Sequence, residues 1–301
     1  VTAPDFAPFA LAAPAKINLT LCVTGKRDDG YHRLESLVAF AAIGDRLTFA
    51  PAPQLSLACE GEGAARLPAA SDNLVVKAAL GFGETFGVSP TVALRLHKIL
   101  PVEAGLGGGS SDAAAVLRGM AQIFSVAEDD PRLFALAAKL GADVPVCLAG
   151  RAAIMRGIGE QLQPVKIPGG QAIVLVNPGV GVATKAVFAR LKLPCPPPAA
   201  LEPSALATFE GLRRAVVAGR NDLARPAMEI APEIEQAWRA LAQAPGCVAA
   251  RMSGSGASCF ALYGDEGAAL AAAGLIARAY PSWFCVPTVL VGDVRGLDDE
   301  A

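Results

Sequence analysis

Residues 101–117 read P-V-E-A-G-L-G-G-G-S-S-D-A-A-A-V-L, and no other stretch limits the fold as much. Gly105, Gly107, Gly108 and Gly109 fall within five positions. Without a Cβ, the backbone there can turn tightly and approach a ligand closely. Ser110 and Ser111 stand where a helix begins. Leu117, Met120, Ala121 and Phe124 recur at i, i+3, i+4 and i+7, the stripe of an amphipathic helix. A glycine loop feeding a helix presents unpaired N–H groups and the positive end of a dipole, which together suit an anion. A triphosphate is the first reading; a flexible surface loop is the alternative. The stretch fits neither of two familiar templates. A P-loop needs a lysine after its glycines, and none follows here. A dinucleotide fingerprint needs an early strand and a later acidic residue. Hydroxyls occupy the place of the P-loop lysine, able to donate to phosphate or to help hold Mg2+.

The chain of 301 residues is long enough for two domains. Its 53% hydrophobic and 18% charged content supports a large core and argues against disorder. The net charge of −2 gives no electrostatic footprint for nucleic acid. Seven cysteines are scattered without a C-x-x-C spacing, which fits a reducing compartment. The apolar start lacks a basic region and carries Pro4, Pro8 and Pro14, so it is not read as a signal peptide. No uncharged apolar run reaches membrane-spanning length. The expectation is a soluble, cytoplasmic protein, without nucleic-acid or membrane partners.

Ala15–Val23 alternates like a strand, followed by a charged turn over Thr24–Gly30. Leu34–Ala42, Asp45–Phe49, Leu55–Ala58 and Thr91–Leu96 read as further strands. Ser71-Asp72-Asn73 can cap a helix through Leu74, Ala78 and Phe82. Asp130-Pro131 starts another, which stops at Gly141. Val144–Leu148 and Ala152–Met155 flank Gly150 as a hairpin. In the second half, strands are expected at Ala172–Val176, Cys247–Met252, Ser258–Tyr263 and Trp283–Val291. Thr184 can cap a helix carrying Val187 and Phe188, and further helices fall near Ala205–Ala218, Pro232–Ala242 and Gly267–Ala279. Leu193–Pro203, with five prolines, is a loop. The order indicates an α+β fold.

Several residues can carry chemistry. Asp143, just past a helix end, could accept a proton from an alcohol during phosphoryl transfer, or merely bond to its own turn. Lys16 is either an edge-strand lysine in water or a cation that steadies developing charge. Asn18 shares its face by the two-residue strand period. Tyr31 and His32 follow the turn at Gly30. His32 and His97 are the two histidines, a poor basis for a histidine metal site or a Ser-His-Asp triad. Lys98 lies three residues before Pro101. Ser253–Ala257, S-G-S-G-A, is a hairpin turn or a second anion nest. Asp112 would repel a triphosphate unless it turns away or acts through Mg2+.

P-V-E-A-G-L-G-G-G-S-S-D-A-A resembles the central phosphate-binding motif of the GHMP kinases. A-P-A-K-I-N-L-T-L, D-D-G-Y-H, L-G-A-D-V-P-V and R-M-S-G-S-G-A-S-C-F resemble further signatures of one branch, in that branch's order. The resemblance runs from about Pro14 to about Phe260. It implies a two-domain α+β GHMP kinase fold, ribosomal protein S5 domain 2-like over residues 1–164 and ferredoxin-like α/β over 165–301. It implies ATP-dependent phosphorylation of the 2-hydroxyl of 4-diphosphocytidyl-2-C-methyl-D-erythritol in the non-mevalonate isoprenoid route. Another small alcohol, such as homoserine, and a non-catalytic ATP or sugar sensor are the alternatives. It makes Lys16 and Asp143 catalytic. Lys98 and the run Pro101, Val102, Glu103, Ala104, Gly105, Leu106, Gly107, Gly108, Gly109, Ser110 and Ser111 would bind ATP with Mg2+. Asn18, Tyr31, His32, Thr184 and Phe188 would bind the cytidylyl substrate, Tyr31 by stacking and His32 by hydrogen bonding. The expected assembly is a monomer or homodimer.

Overall fold

The computed structural model describes residues 6–298. Residues 1–5, including Pro4 of the apolar start, and residues 299–301 lie outside the described residues. The described strands are β1 (Phe9–Asn18), β2 (Cys22–Lys26), β3 (His32–Pro51), β4 (Ser56–Glu60), β5 (Val92–His97), β6 (Ala153–Gly157), β7 (Gln161–Pro164), β8 (Gln171–Asn177), β9 (Cys247–Met252), β10 (Cys259–Tyr263) and β11 (Phe284–Val291). The helices are α1 (Leu74–Phe86), α2 (Gly108–Ile123), α3 (Pro131–Leu140), α4 (Val144–Ala149), α5 (Thr184–Arg190), α6 (Phe209–Ala218), α7 (Ala224–Ile230), α8 (Glu233–Gln243) and α9 (Glu266–Ala279). Among them, none is long and apolar enough to cross a membrane.

One sheet runs through both halves in the order β4-β5-β3-β11-β8-β10-β9. β3 is its axis. β2 and β1 pair along one edge, and β6, β11 and β5 in turn along the other. The sequence suggested two strands there, broken near Gly44. The break does not occur, because Gly44 serves a close approach instead. A Cβ on it would lie 2.3 Å from Pro14 Cα, where β1 bulges across β3. β1 also begins six residues earlier than expected, at Phe9, and carries Pro14 within it.

Three hydrophobic clusters follow. One packs α1–α4 on β1, β3 and β5 around Phe40, Phe49, Phe82 and Leu117. A second packs α7, α8 and α9 on β8, β9 and β10 around Val176, Ile234 and Tyr263. The third joins the halves, with Ile17, Leu37 and Leu106 against Ile173, Leu175 and Phe260.

Helix α2 is buried all round from Ser111 to Ala121, not only on the expected stripe. Its small residues permit this: Phe49 lies so close over Gly119 that a Cβ there would overlap the ring. The hairpin expected around Gly150 is instead α4 followed by β6. Val144–Leu148 is a short, wholly apolar run, which periodicity alone cannot assign, and Pro145 presets a helical φ in its first turn. Helix α7 was not foreseen.

Candidate active site

A single cavity of about 1170 Å3 brings together most of the residues singled out above. Lys16, Asn18, Tyr31, His32, Lys98, Asp143, Thr184 and Phe188 all line it, as do Pro101–Gly105 and Gly107–Ser110. Leu106 and Ser111 do not. Leu106 is buried in the joining core, and its carbonyl accepts from Lys16 N at 2.8 Å. Ser111 Oγ donates to the Pro14 carbonyl at 2.8 Å. Both hold the loop against β1 rather than face a ligand.

Gly107, at φ 63°, lets the chain turn into α2. The N–H groups of the first helical turn, at Gly108, Gly109 and Ser110, lack intrahelical partners and adjoin the cavity. The Lys16 side chain lies under Gly107, whose added Cβ would meet Lys16 Cβ at 3.1 Å. Lys16 is only 3% exposed, and its Nζ sits 2.8 Å from Asp143 Oδ2, itself 37% exposed. Asp143 is the residue before α4, yet makes no side-chain capping bond. A carboxylate at such a place ordinarily caps the helix. Here it is committed to Lys16 and open to the cavity.

The second glycine loop packs backbone to backbone on the first. Ser253 Oγ donates to Gly105 O at 2.9 Å and accepts from Asn18 N at 3.1 Å, and Ser258 N donates to Ala104 O. Asn18 Nδ2 donates to Ser36 Oγ, leaving Asn18 Oδ1 a buried acceptor without a partner among the described residues. His32 stacks on Phe188, with ring centroids 4.8 Å apart. Tyr31 stands at the rim, 63% exposed. Burial lowers the His32 pKa, with Lys26 adding to the effect, which favours the neutral ring with its one donor and one acceptor. Thr184 does not cap α5. Its hydroxyl pairs with Ser255 Oγ at 2.8 Å, across the cavity wall, and Ala183 precedes the helix without a capping side chain.

The N-terminal part matches the family model of the GHMP kinases N terminal domain over residues 73–151. That of the GHMP kinases C terminal matches residues 204–281. A 4-diphosphocytidyl-2-C-methyl-D-erythritol kinase of Cereibacter sphaeroides is 50% identical over 281 residues, 93% of this chain and 98% of that protein. One of Paramagnetospirillum magneticum is 47% identical, over 94% of this chain and 99% of that protein. The chain belongs to the 4-diphosphocytidyl-2-C-methyl-D-erythritol kinases, a branch of the GHMP kinases. A crystal structure of a 4-(cytidine 5'-diphospho)-2C-methyl-D-erythritol kinase superposes with a TM-score of 0.75 at 34% identity, covering 94% of this chain and 100% of that one. A homoserine kinase from Cytophaga hutchinsonii, at 18% identity and a TM-score of 0.69, shares the fold, over 97% of this chain and 98% of that one.

In this GHMP kinase, Lys98 lines the cavity but is not a free cation there. It is 2% exposed, with Nζ 2.5 Å from Asp45 Oδ2 and 2.8 Å from Asp112 Oδ2. Asp112 has turned inward onto it, which relieves the repulsion that its position threatened. Sequence reading passed over Asp45. The signal was there: Asp45 has the strand parity of Leu47 and Phe49, both buried, so a carboxylate was being placed on an inward face.

Burial pushes the Asp112 carboxyl up to about 8; the Lys98 ammonium pulls against this and Asp45 adds to it. An acid whose folded pKa exceeds its ordinary 3.8 contributes stability that is fully present below 3.8 and lost as pH rises through about 8. Asp112→Asn cannot ionise. Its Tm should therefore fall less than that of the unaltered kinase between about pH 5 and about pH 9. Thermal unfolding followed by circular dichroism measures this, and parallel pH profiles would refute it.

Proposed function

We propose that this kinase transfers the γ-phosphoryl group of ATP to the 2-hydroxyl of 4-diphosphocytidyl-2-C-methyl-D-erythritol, giving the 2-phosphate and ADP. The observation that carries this reading is the Lys16–Asp143 pair, in one cavity with both an anion-binding loop and a stacked aromatic wall. ATP phosphates lie against the N–H groups of Gly107–Ser110. Asp143 accepts the hydroxyl proton as the new O–P bond forms and the bond between the γ-phosphorus and the β–γ bridging oxygen breaks. Lys16 stays beside the developing alkoxide. Transfer is direct and in line, with Asp143 held by Lys16 to take the hydroxyl proton. Asn18 Oδ1 accepts from a substrate hydroxyl, while Tyr31, His32, Thr184 and Phe188 receive the cytidylyl end. The reading divides the chain at 164/165 and places the enzyme in the cytoplasm, as a monomer or homodimer.

Among the described residues, no group of three or more His, Cys, Asp or Glu side chains is placed to hold a metal. Ser111 and Asp112 are engaged within the protein, so Ser110 is the loop hydroxyl left facing the cavity. Such a sparse donor set suits Mg2+ carried mainly by the nucleotide, because Mg2+ keeps several waters and takes few protein ligands. When bound, it neutralises charge on the phosphates. Both lysines near the loop already have carboxylate partners, which leaves that role open to it.

A smaller alcohol such as homoserine would leave the His32–Phe188 wall without an occupant. A panel of alcohols assayed with ATP tests the choice. The cytidylyl alcohol should be turned over and homoserine should not; the reverse result would overturn the assignment. Phe188→Ala should raise KM for the cytidylyl alcohol by up to about tenfold, as the loss of one stacked partner implies, with KM for ATP unchanged.

A further inference from the structure

We propose that Asp45 is a positioning residue for the nucleotide: with Lys98 and Asp112 it clasps together the two ends of the glycine loop. The inference rests on the reading of that loop as the cradle for ATP phosphates.

Asp45 is buried in β3 and uses both carboxylate oxygens. Oδ1 accepts from Ile99 N at 2.6 Å and from Leu100 N at 2.8 Å. Oδ2 accepts from Lys98 Nζ, which also donates to Asp112 Oδ2. Residues 98–100 lead directly into Pro101, where the loop starts. Asp112 lies just past the first turn of α2, where the loop has ended. Both necks are thereby tied to one point on the strand that forms the axis of the sheet. The tie lies directly beneath the helix start: a Cβ on Gly108 would fall 3.0 Å from Lys98 Nζ and 3.6 Å from Asp45 Oδ2. The N–H groups that adjoin the cavity are therefore held from below by a buried, charge-assisted cluster.

The geometry has two electrostatic consequences. Lys98 is held above its ordinary pKa: burial works against its charge, but the two carboxylates outweigh burial. Lys98 thus keeps its charge at neutral pH and can donate to both carboxyl groups. Its bonds are also directional, so its loss would shift the loop rather than merely loosen the core. Charge-assisted hydrogen bonds of this kind are about twice as strong as neutral ones.

The test compares Asp45→Asn and Asp112→Asn with the unaltered kinase. Asparagine at 45 keeps an oxygen for the two backbone N–H groups but turns an amide NH2 toward Lys98. KM for ATP and Kd for a non-hydrolysable ATP analogue should rise by about tenfold. KM for the cytidylyl alcohol and kcat at saturating ATP should stay within about threefold, because the Lys16–Asp143 pair is untouched. Asparagine at 112 still offers an oxygen to Lys98, so the rise in both ATP constants should be smaller than for Asp45→Asn, and a larger rise would overturn the central place of Asp45.

A lowered Tm for Asp45→Asn with unchanged ATP constants would reduce Asp45 to a structural role and overturn the clasp. Equal rises in both KM values would overturn it as well. Should Asp45→Asn not fold, Asp112→Ala replaces it: that variant releases the second neck and should weaken the analogue by about fivefold or more, and unchanged binding would overturn the clasp. The unaltered protein separates the two possible failures. If it binds no ATP analogue, the reading of the loop falls and the clasp falls with it. If it binds and Asp45→Asn binds equally well, the clasp alone falls.

Discussion

Asp143→Asn should lower kcat by about 10²–10⁴-fold while affinity for a non-hydrolysable ATP analogue stays within about threefold. The amide has the size of the carboxylate but cannot accept the hydroxyl proton. The substitution removes no helix cap, because Asp143 makes no capping bond to α4. Its other consequence is electrostatic: Lys16, almost wholly buried, loses the carboxylate 2.8 Å away. The glycine loop itself is tied to β1 through the main chain, by Lys16 N donating to Leu106 O, and that tie survives. Rate and nucleotide affinity should therefore separate. Single-turnover kinetics beside calorimetry with the ATP analogue would show it, and near-normal kcat in the variant would remove Asp143 from the proton's path.

Gly105→Ala should abolish measurable ATP binding and lower stability by about 2–5 kcal/mol, the sum of a left-handed backbone penalty and overpacking. Gly105 sits at φ 73°, and an added Cβ would fall 2.5 Å from Ser253 O and 2.7 Å from Gly256 O. Both are main-chain atoms, so no rotamer change relieves the overlap. The joint between the two glycine loops has to open, and the bonds from Ser253 Oγ to Gly105 O and from Ser258 N to Ala104 O go with it. Gly109→Ala supplies the contrast in stability, since its Cβ would meet only Leu74 Cδ1 at an ordinary 3.6 Å. Tm values for the two variants measure the difference. Equal values would mean that the loop–loop contact does not bear on stability.

The motifs made the site legible to the extent that its chemistry is local. The glycine loop, Asp143 and the Tyr31-His32 pair each announce themselves within a few residues. What stayed hidden depends on distant partners. Lys98 read as an ATP contact, and its carboxylate partner stayed hidden because Asp45 is 53 positions away from it in the chain. Thr184 read as a cap because nothing nearby in sequence shows that Ser255 would face it. β3 read as two strands, Leu34–Ala42 and Asp45–Phe49, because a close crossing by Pro14 at Gly44 leaves the same signature as a turn. The apolar run at Val144–Leu148 is too short for its period to separate helix from strand. In the fold, helices with an explicit cap came out well: α1 behind Asn73 and α3 behind Asp130 start where their caps place them.

The long axis strand also imposes an order on biosynthesis. β3 emerges from the ribosome as residues 32–51, but its neighbour at Phe40–Ala41 is β11, made more than two hundred residues later. Until that strand arrives, the middle of β3 exposes unpaired main-chain groups, the kind of edge that recruits other chains. The last contacts to form then include Asp298 accepting from Ala12 N and Arg118 on the opposite half of the sequence. Long-range closure of this kind is slow, and an unpaired edge favours association between unfinished chains. A polypeptide stopped before residue 284 would carry the whole glycine loop and still lack the strand that seals the sheet beside it.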